Sequence, residues 1–244
     1  MKARFNDKNN EILGISPYTS SKRYENPKQV FLFALQEIER NLKTDTLITL
    51  VDIGCANGEF LYYVKKRHPN WNLYGYDFMP EFIEAGKKFN GLKGIHLELK
   101  NFFTLRKKFD VVCCFGTLPI FPDVKKPLKK LLSLCKKNGL LVADGLFNRF
   151  DIDVQITYRD NSKIESKNIW RNDFNQHAQT TIAEFLEPIV GQLEFKAVPF
   201  NVDLPYITNN PHANAFTFRD DGGNRRVTNG LNILLNSTLL IVKK

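Results

Sequence analysis

The residues best suited to chemistry lie between positions 51 and 60, in VDIGCANGEF. Asp52 closes an apolar run, and Gly54, Ala56 and Gly58 follow at alternate positions. Glycine in such a turn admits positive φ or lets a ligand approach the backbone. At the head of a helix, the free N–H groups and the dipole then suit a nucleotide-like ligand. Asp77 ends the run LYGYD, and its carboxylate offers two acceptor oxygens for a cis-diol. A dinucleotide fingerprint, G-x-G-x-x-G, wants a small residue at position 59, where this chain carries Glu59. The spacing is instead D-x-G-x-A-x-G.

These residues must be held by a sheet. TLITLVDI is a continuous apolar and β-branched run, as a strand buried on both faces requires. WNLYGYD, GIHLELK, FDVVCCF and GLLVADG read as four further strands. Between them EFLYYVKKRH, PEFIEAGKKF and VKKPLKKLLSLCKKNG read as helices, the last ending at an Asn138–Gly139 cap. QVFLFALQEIERNL, at 29–42, is a leading helix. Strands alternating with such helices imply an α/β, doubly wound, mostly parallel sheet with helices on both faces. The pattern lapses at 146–176, resumes with the helix HAQTTIAEFLEPIVG and the strands QLEFKAVPF and STLLIVKK, and is interrupted again at 201–230. Irregular stretches of this length in a compact domain are usually functional or disordered.

Composition narrows the function classes. The chain has 244 residues, 43% hydrophobic and 25% charged, enough for one large domain. No apolar run approaches the ~18 residues of a membrane helix, and MKARFNDKNN lacks the apolar core of a signal peptide. Cys55, Cys113, Cys114 and Cys135 show no metal-ligand spacing, so reduced cysteines in a cytoplasmic protein are expected, with no metal. The formal charge of +9 sits mainly in lysines of helix-like segments, such as Lys65–Lys66, Lys87–Lys88 and Lys129–Lys130. Solvated helix faces explain it without a nucleic-acid partner.

Asp52-x-Gly54-x-Ala56-x-Gly58, Asp77 at the next strand end, and FDVVCCFGTLPIF followed by KKNGLLVADG together resemble class I S-adenosylmethionine-dependent methyltransferases. The resemblance covers about residues 45–145 most closely. It implies a seven-stranded Rossmann-like methyltransferase fold, S-adenosyl-L-methionine as cofactor and S-adenosyl-L-homocysteine as product. It further implies that Asp52, Gly54, Cys55, Ala56, Asn57 and Gly58 hold the cofactor with Asp77, Phe78, Asn101, Phe102, Phe115 and Gly116. Asp77 would take the ribose, and Asn101 stands where the family often has an aspartate at the adenine. The expected organisation is a single domain: 1–45 as an N-terminal lid and helix, 46–145 as the cofactor core, and 146–176 and 201–230 as acceptor-side insertions.

In this family the acceptor is chosen outside the core, so a general base is sought there. His177 is the first candidate, because histidine titrates near neutrality, and Tyr206 is the second; Asp203 and His212 are others. Trp170 is a candidate substrate platform, and Tyr18 and Tyr24 could close the N-terminal segment over the cofactor. Arg171, Arg225 and Arg226 belong to a set of arginines in the irregular C-terminal half, whose planar forks suit a carboxylate or phosphate. The C-terminal pattern resembles methyltransferases of bacterial surface-polysaccharide genes, which implies a sugar or phosphoramidate-type capsule precursor as a small acceptor. An RNA or protein methyltransferase is the alternative, although FGTLP replaces an NPPY-type motif after the fourth strand. A catalytically inactive cofactor-binding subunit is another.

Overall fold

The structure is a computed structural model. It describes residues 21–42, 46–159, 170–172 and 174–199, the strands 216–219, 225–228 and 234–235, and residues 237–244. In chain order, helix α1 (Gln29–Asn41) precedes β1 (Thr49–Ile53), α2 (Glu59–Arg67), β2 (Asn72–Asp77), α3 (Pro80–Lys88), β3 (His96–Leu99) and β4 (Phe109–Cys114). Then come α4 (Lys125–Leu134), β5 (Cys135–Gly145), the short strands β6 (Phe147–Asn148), β7 (Thr157–Tyr158), β8 (Arg171–Asn172) and β9 (His177–Ala178), and helix α5 (Gln179–Leu186). The chain goes on through β10 (Gln192–Ala197), β11 (Phe216–Arg219), β12 (Arg225–Thr228), β13 (Leu234–Leu235) and β14 (Thr238–Lys243).

Seven strands form the main sheet in the order β10-β14-β5-β4-β1-β2-β3. Strand β14 is antiparallel to both its neighbours, and the other pairings are parallel. The expected doubly wound, mostly parallel seven-stranded sheet is therefore present. Alternation along each strand splits the core in two. Leu50, Val111 and Cys113 pack with α1, α2 and α3, whereas Val51, Ile53, Val112 and Cys114 pack with α4 and α5. All four cysteines are buried and free.

The chain winds outward from β1 through β2 to β3, then returns to place β4 on the other side of β1. Loops leaving β1 and β4 diverge at this reversal, which leaves a crevice at the carboxyl ends of the strands.

One boundary differs from the sequence reading. Helix α4 stops at Leu134 rather than at Asn138–Gly139, and β5 begins at Cys135. Cys135 pairs with Phe109, after which the register shifts and Leu140 pairs with Val111. The residues between form a bulge with Asn138 at φ 62°, and exposed Lys136 donates to Asp110 at 2.8 Å. The Asn–Gly pair that resembles a helix cap is the turn of this bulge.

Gly75 is the tightest point of the inner sheet. A methyl group there would stand 2.6 Å from Leu97, 2.7 Å from Leu61 and 2.9 Å from Cys55. Gly75→Ala is expected to cost about 1–3 kcal/mol of stability in urea unfolding, the usual penalty for overpacking a closed core. A variant as stable as the parent would show that these neighbours can yield.

Candidate functional site

The turn after β1 is left-handed at three places, with φ of 74° at Gly54, 47° at Ala56 and 86° at Gly58. Gly54 has no room for a side chain, because an added methyl would fall 2.0 Å from Thr117 Oγ1 in the loop after β4. The two loops of the crevice therefore touch there. Gly54 and Cys55 donate to the carbonyl of Tyr76 at 2.8 and 3.3 Å, and Gly58 donates to Cys55 at 2.9 Å. Ala56 keeps a side chain in a conformation that favours glycine, a small strain at the centre of the turn.

Asp77 fastens this turn to β2. Its Oδ2 accepts from the Ala56 N–H at 2.9 Å and its Oδ1 from the Met79 N–H at 2.9 Å. On the other side, Gly116, at φ 65°, donates to Asp144 Oδ1 at 2.5 Å. Asp144 lies near the end of β5 and was not singled out from the sequence. Phe115 packs edge-on to Phe31 and Phe60, with centroids 5.3 and 4.8 Å away. Beside Asp77, Phe78 is half exposed. Asn101 caps the short turn Phe102–Thr104, its Oδ1 accepting from the Phe103 N–H at 3.0 Å.

The carboxyls of this corner are costly. Burial raises the pKa of Asp52 well above the carboxylate range, and neighbouring Asp77 raises it further. Burial also raises Asp77, against the pull of the Met79 and Ala56 N–H groups. Asp144 is pushed up to about 6 by burial, although Gly116 and Lys28 oppose the shift. Lys28 remains an exposed residue, yet protein crowds its ammonium. That desolvation, with Arg23 nearby, lowers its pKa, while Glu59, Asp144 and Asp52 oppose the change. Asp52 Oδ1 and both polar atoms of the Asn57 amide are buried and have no partner among the described residues. Unpaired buried atoms at a turn of this shape are what a bound polar or cationic ligand would satisfy.

The segment before α1 is latched to the same turn. Tyr24 donates to the Asn57 carbonyl at 2.7 Å and stacks on Phe89 at 3.9 Å. Arg23 pairs with Glu59 at 2.6 Å, and Tyr63 donates to the Tyr24 carbonyl at 2.6 Å. Neither Arg23 nor Lys28 belongs to any recognisable sequence pattern.

The acceptor-side candidates are distributed unevenly. His177 does not open α5; it is the first residue of β9 and pairs with Phe147 of β6. It is 3% exposed, and Nε2 is buried with no hydrogen-bond partner among the described residues. Burial lowers its pKa, which Asp153 and the carbonyls of Phe121 and Leu118 partly oppose. Trp170 is 63% exposed, with the Arg159 guanidinium 5.4 Å from its ring. Arg171 lies in β8 opposite Tyr158, and Arg225 and Arg226 lie in β12 opposite Arg219 and Phe218. Asp203, Tyr206 and His212 fall outside the described residues, as does Tyr18. Among the described residues no cluster of His, Cys, Asp or Glu could hold a metal ion, and no helix is long and apolar enough to cross a membrane.

A family model described as "Methyltransferase domain" matches residues 44–185, more than half of the chain. A tRNA U34 carboxymethyltransferase of Wolinella succinogenes is 31% identical over 121 residues, 46% of this chain and 42% of the relative. A carboxy-S-adenosyl-L-methionine synthase of Campylobacter hominis is 27% identical over 110 residues, 43% of this chain and 46% of the relative. The chain thus spans less than half the length of these curated relatives. Among solved structures, the plantazolicin methyltransferase BpumL, in complex with a triazolic desmethylPZN analog and SAH, aligns with TM-score 0.58 and 18% identity over 98% of this chain and 92% of its own. Magnesium protoporphyrin IX methyltransferase from Synechocystis PCC 6803, with bound SAM, aligns with TM-score 0.54 and 11% identity over 100% of both chains. At such identities the structural likeness concerns the fold.

Asp144 makes the electrostatics testable. A carboxyl raised to about 6 favours its protonated form in the folded protein. Its contribution to stability is therefore greatest below the unfolded pKa and is lost as pH rises through about 6. Asp144→Asn keeps an acceptor for the Gly116 N–H and removes the ionisation. The variant is expected to gain about 1–3 kcal/mol relative to the parent between pH 4 and pH 7.5, at roughly 1.4 kcal/mol per pKa unit less solvent screening. Chemical denaturation at the two pH values measures it, and a pH-independent difference would contradict the raised pKa.

Proposed function

The chain belongs to the methyltransferase-domain family, and on that premise we propose that it transfers a methyl group from S-adenosyl-L-methionine to a small acceptor, releasing S-adenosyl-L-homocysteine. The observation that carries the proposal is the crevice at the strand reversal. It combines a glycine turn, the buried carboxyls of Asp52 and Asp77 with the partly buried Asp144 beside them, and the Asn57 amide, unpartnered among the described residues. A ligand bearing a sulfonium and an ammonium would relieve the carboxyls, so the residues present fit this cofactor.

Each group then has a role. The oxygens of Asp77 spend one lone pair each on backbone N–H groups and retain another for ribose hydroxyls. Phe78 and Phe102 offer ring faces to an adenine, and the Asn101 amide nitrogen can donate to a ring nitrogen. Asp52 and Asp144 face the positive charge, and Lys28 supplies a cation for a carboxylate. When bound, S-adenosylmethionine supplies a methyl group already activated by its sulfonium. The protein contributes binding, orientation and exclusion of water.

The acceptor is proposed to carry an anionic group. The support is the concentration of arginine in the C-terminal half, including Arg149 and Arg159 of the described residues and the Arg225–Arg226 pair of β12. An RNA acceptor is the second reading, favoured by the charge of +9 and by the tRNA-modifying relative.

Calorimetry with S-adenosylhomocysteine tests the cofactor. Asp77→Ala should weaken binding by about 1.5–3 kcal/mol, the scale of lost hydrogen bonds to a charged group. Unchanged affinity in a folded variant would remove the ribose assignment. Incubation with S-adenosylmethionine and either a small-molecule extract or total tRNA, followed by mass spectrometry, should give a product heavier by about one methylene in the first arm only. Methylation confined to the tRNA arm would install the second reading.

A further inference from the structure

The loop leaving β4 has two neighbours. Thr117 stands against Gly54 of the cofactor turn, and the carbonyls of Leu118 and Phe121 act on the ring of His177. One loop therefore touches both the cofactor turn and His177. The segment around it is fixed. Asn175 is fully buried and gives two hydrogen bonds to the Pro119 carbonyl, from its backbone N–H at 2.7 Å and its side-chain amide at 2.9 Å. Its Oδ1 accepts from the Ile156 N–H at 2.9 Å. The His177 N–H donates to the Leu146 carbonyl at 3.1 Å, two residues beyond Asp144. Phe174, just before, holds a φ of 38°, a strained value for a side-chain-bearing residue. Such strain persists only where the surroundings over-determine the backbone, and the stretch so held runs directly into His177.

Among the described residues the imidazole is left without a partner at Nε2, although the residue is 3% exposed. Buried polar atoms are generally paired, and in this stretch Nε2 of His177 and Oε1 of the adjacent Gln176 are the two side-chain atoms that are not. Resting on the methyltransferase reading above, we propose that His177 Nε2 receives the proton of the methyl acceptor, whose reacting group is a hydroxyl or amine that still carries that proton. The methyl carbon bonds to the acceptor oxygen or nitrogen as the carbon–sulfur bond breaks, and the pair of that bond stays on sulfur. The acceptor proton passes to Nε2, and the imidazolium releases it to water after the product leaves. A lone pair at Nε2 welcomes an O–H or N–H donor and repels an ionised oxygen. The anionic group of the acceptor therefore lies elsewhere, and a carboxylate or phosphate oxygen is not the atom methylated. Burial keeps the ring neutral at physiological pH and so available as a base. Asp153 and Asp123 are the charged groups that oppose this. Asp153 already accepts from the Ala178 N–H at 2.6 Å and the Thr181 hydroxyl at 2.8 Å.

Two measurements on the full chain test the proposal. In the complex with S-adenosylhomocysteine, long-range nitrogen–proton spectra of histidine-labelled protein report each ring's tautomer. The chain has four histidines, and His177→Asn identifies the signal. Nε2 of His177 should be unprotonated at pH 7; a protonated Nε2 would overturn the proposal even if no variant folded. In turnover, followed as S-adenosylhomocysteine release from S-adenosylmethionine with a small-molecule extract, His177→Gln should lose roughly 10²- to 10⁴-fold in rate. Its S-adenosylhomocysteine affinity should be unchanged. The parent's rate should show an acid limb, displaced below the ordinary histidine range, as the ring protonates, and the variant should lack that limb. A variant with parental turnover and the same acid limb would exclude His177 as the base. Failure of the parent to bind S-adenosylhomocysteine would instead remove the methyltransferase reading and this proposal with it.

Discussion

The arrangement depends on one electrostatic constraint: three carboxyls share a corner from which water is largely excluded. Asp52, Asp77 and Asp144 reach it from the ends of β1, β2 and β5, because parallel strands all present their carboxyl ends to the same edge. Burial raises each of their pKa values, and at Asp52 the neighbouring Asp77 and Asp144 raise it further. The protein offsets the cost with backbone N–H groups, from Ala56 and Met79 to Asp77 and from Gly116 to Asp144. Those hydrogen bonds also set the shape of both loops. Relief and geometry are thus the same contacts, and a site that holds unrelieved negative charge is already arranged for a cation.

The N-terminal latch follows from the same corner. Arg23 pairs with Glu59 at the first turn of α2, and Lys28 stands near Asp52 and Asp144. Tyr24 caps the carbonyl of Asn57 while its ring stacks on Phe89 and meets Tyr62 edge-on. The segment supplies positive charge where the strands supply negative charge. The described contacts that hold it include the Arg23–Glu59 pair, the hydrogen bonds of the Tyr24 and Tyr63 hydroxyls and a stacked ring. Contacts of that kind can be released locally without disturbing the sheet.

Much of this was legible from residues 47–145. The runs TLITLVDI, FDVVCCF and GLLVADG are apolar on both faces because the strands are covered on both sides, and Asp77 was visible as the acidic end of LYGYD. What escaped has identifiable causes. Asn138–Gly139 reads as a helix cap because a left-handed asparagine also serves a β-bulge, and only the register with Phe109 and Val111 distinguishes them. His177 reads as the start of a helix because a two-residue strand has no period to detect. Lys28 and Asp144 carry no local signal, since their nearness arises from the sheet order and not from spacing in the chain. The acceptor side remained least legible. Asn175 and His177 are polar residues in a stretch without periodicity, and only the folded chain shows that they are buried.

Strand β14 lies between β5 and β10, so the last of the described strands occupies an interior place in the sheet. Residues 238–243 must emerge from the ribosome before that sheet can close. Until then Val142 and Ala143 of β5 present an open hydrogen-bonding edge, and β10 has nothing to pair with. The cofactor half can assemble first from β1 to β5, while the far edge waits for nearly a hundred further residues. An exposed apolar edge held open through synthesis invites intermolecular pairing. How long that edge stays open is set by strand order, independently of how stable the finished fold is.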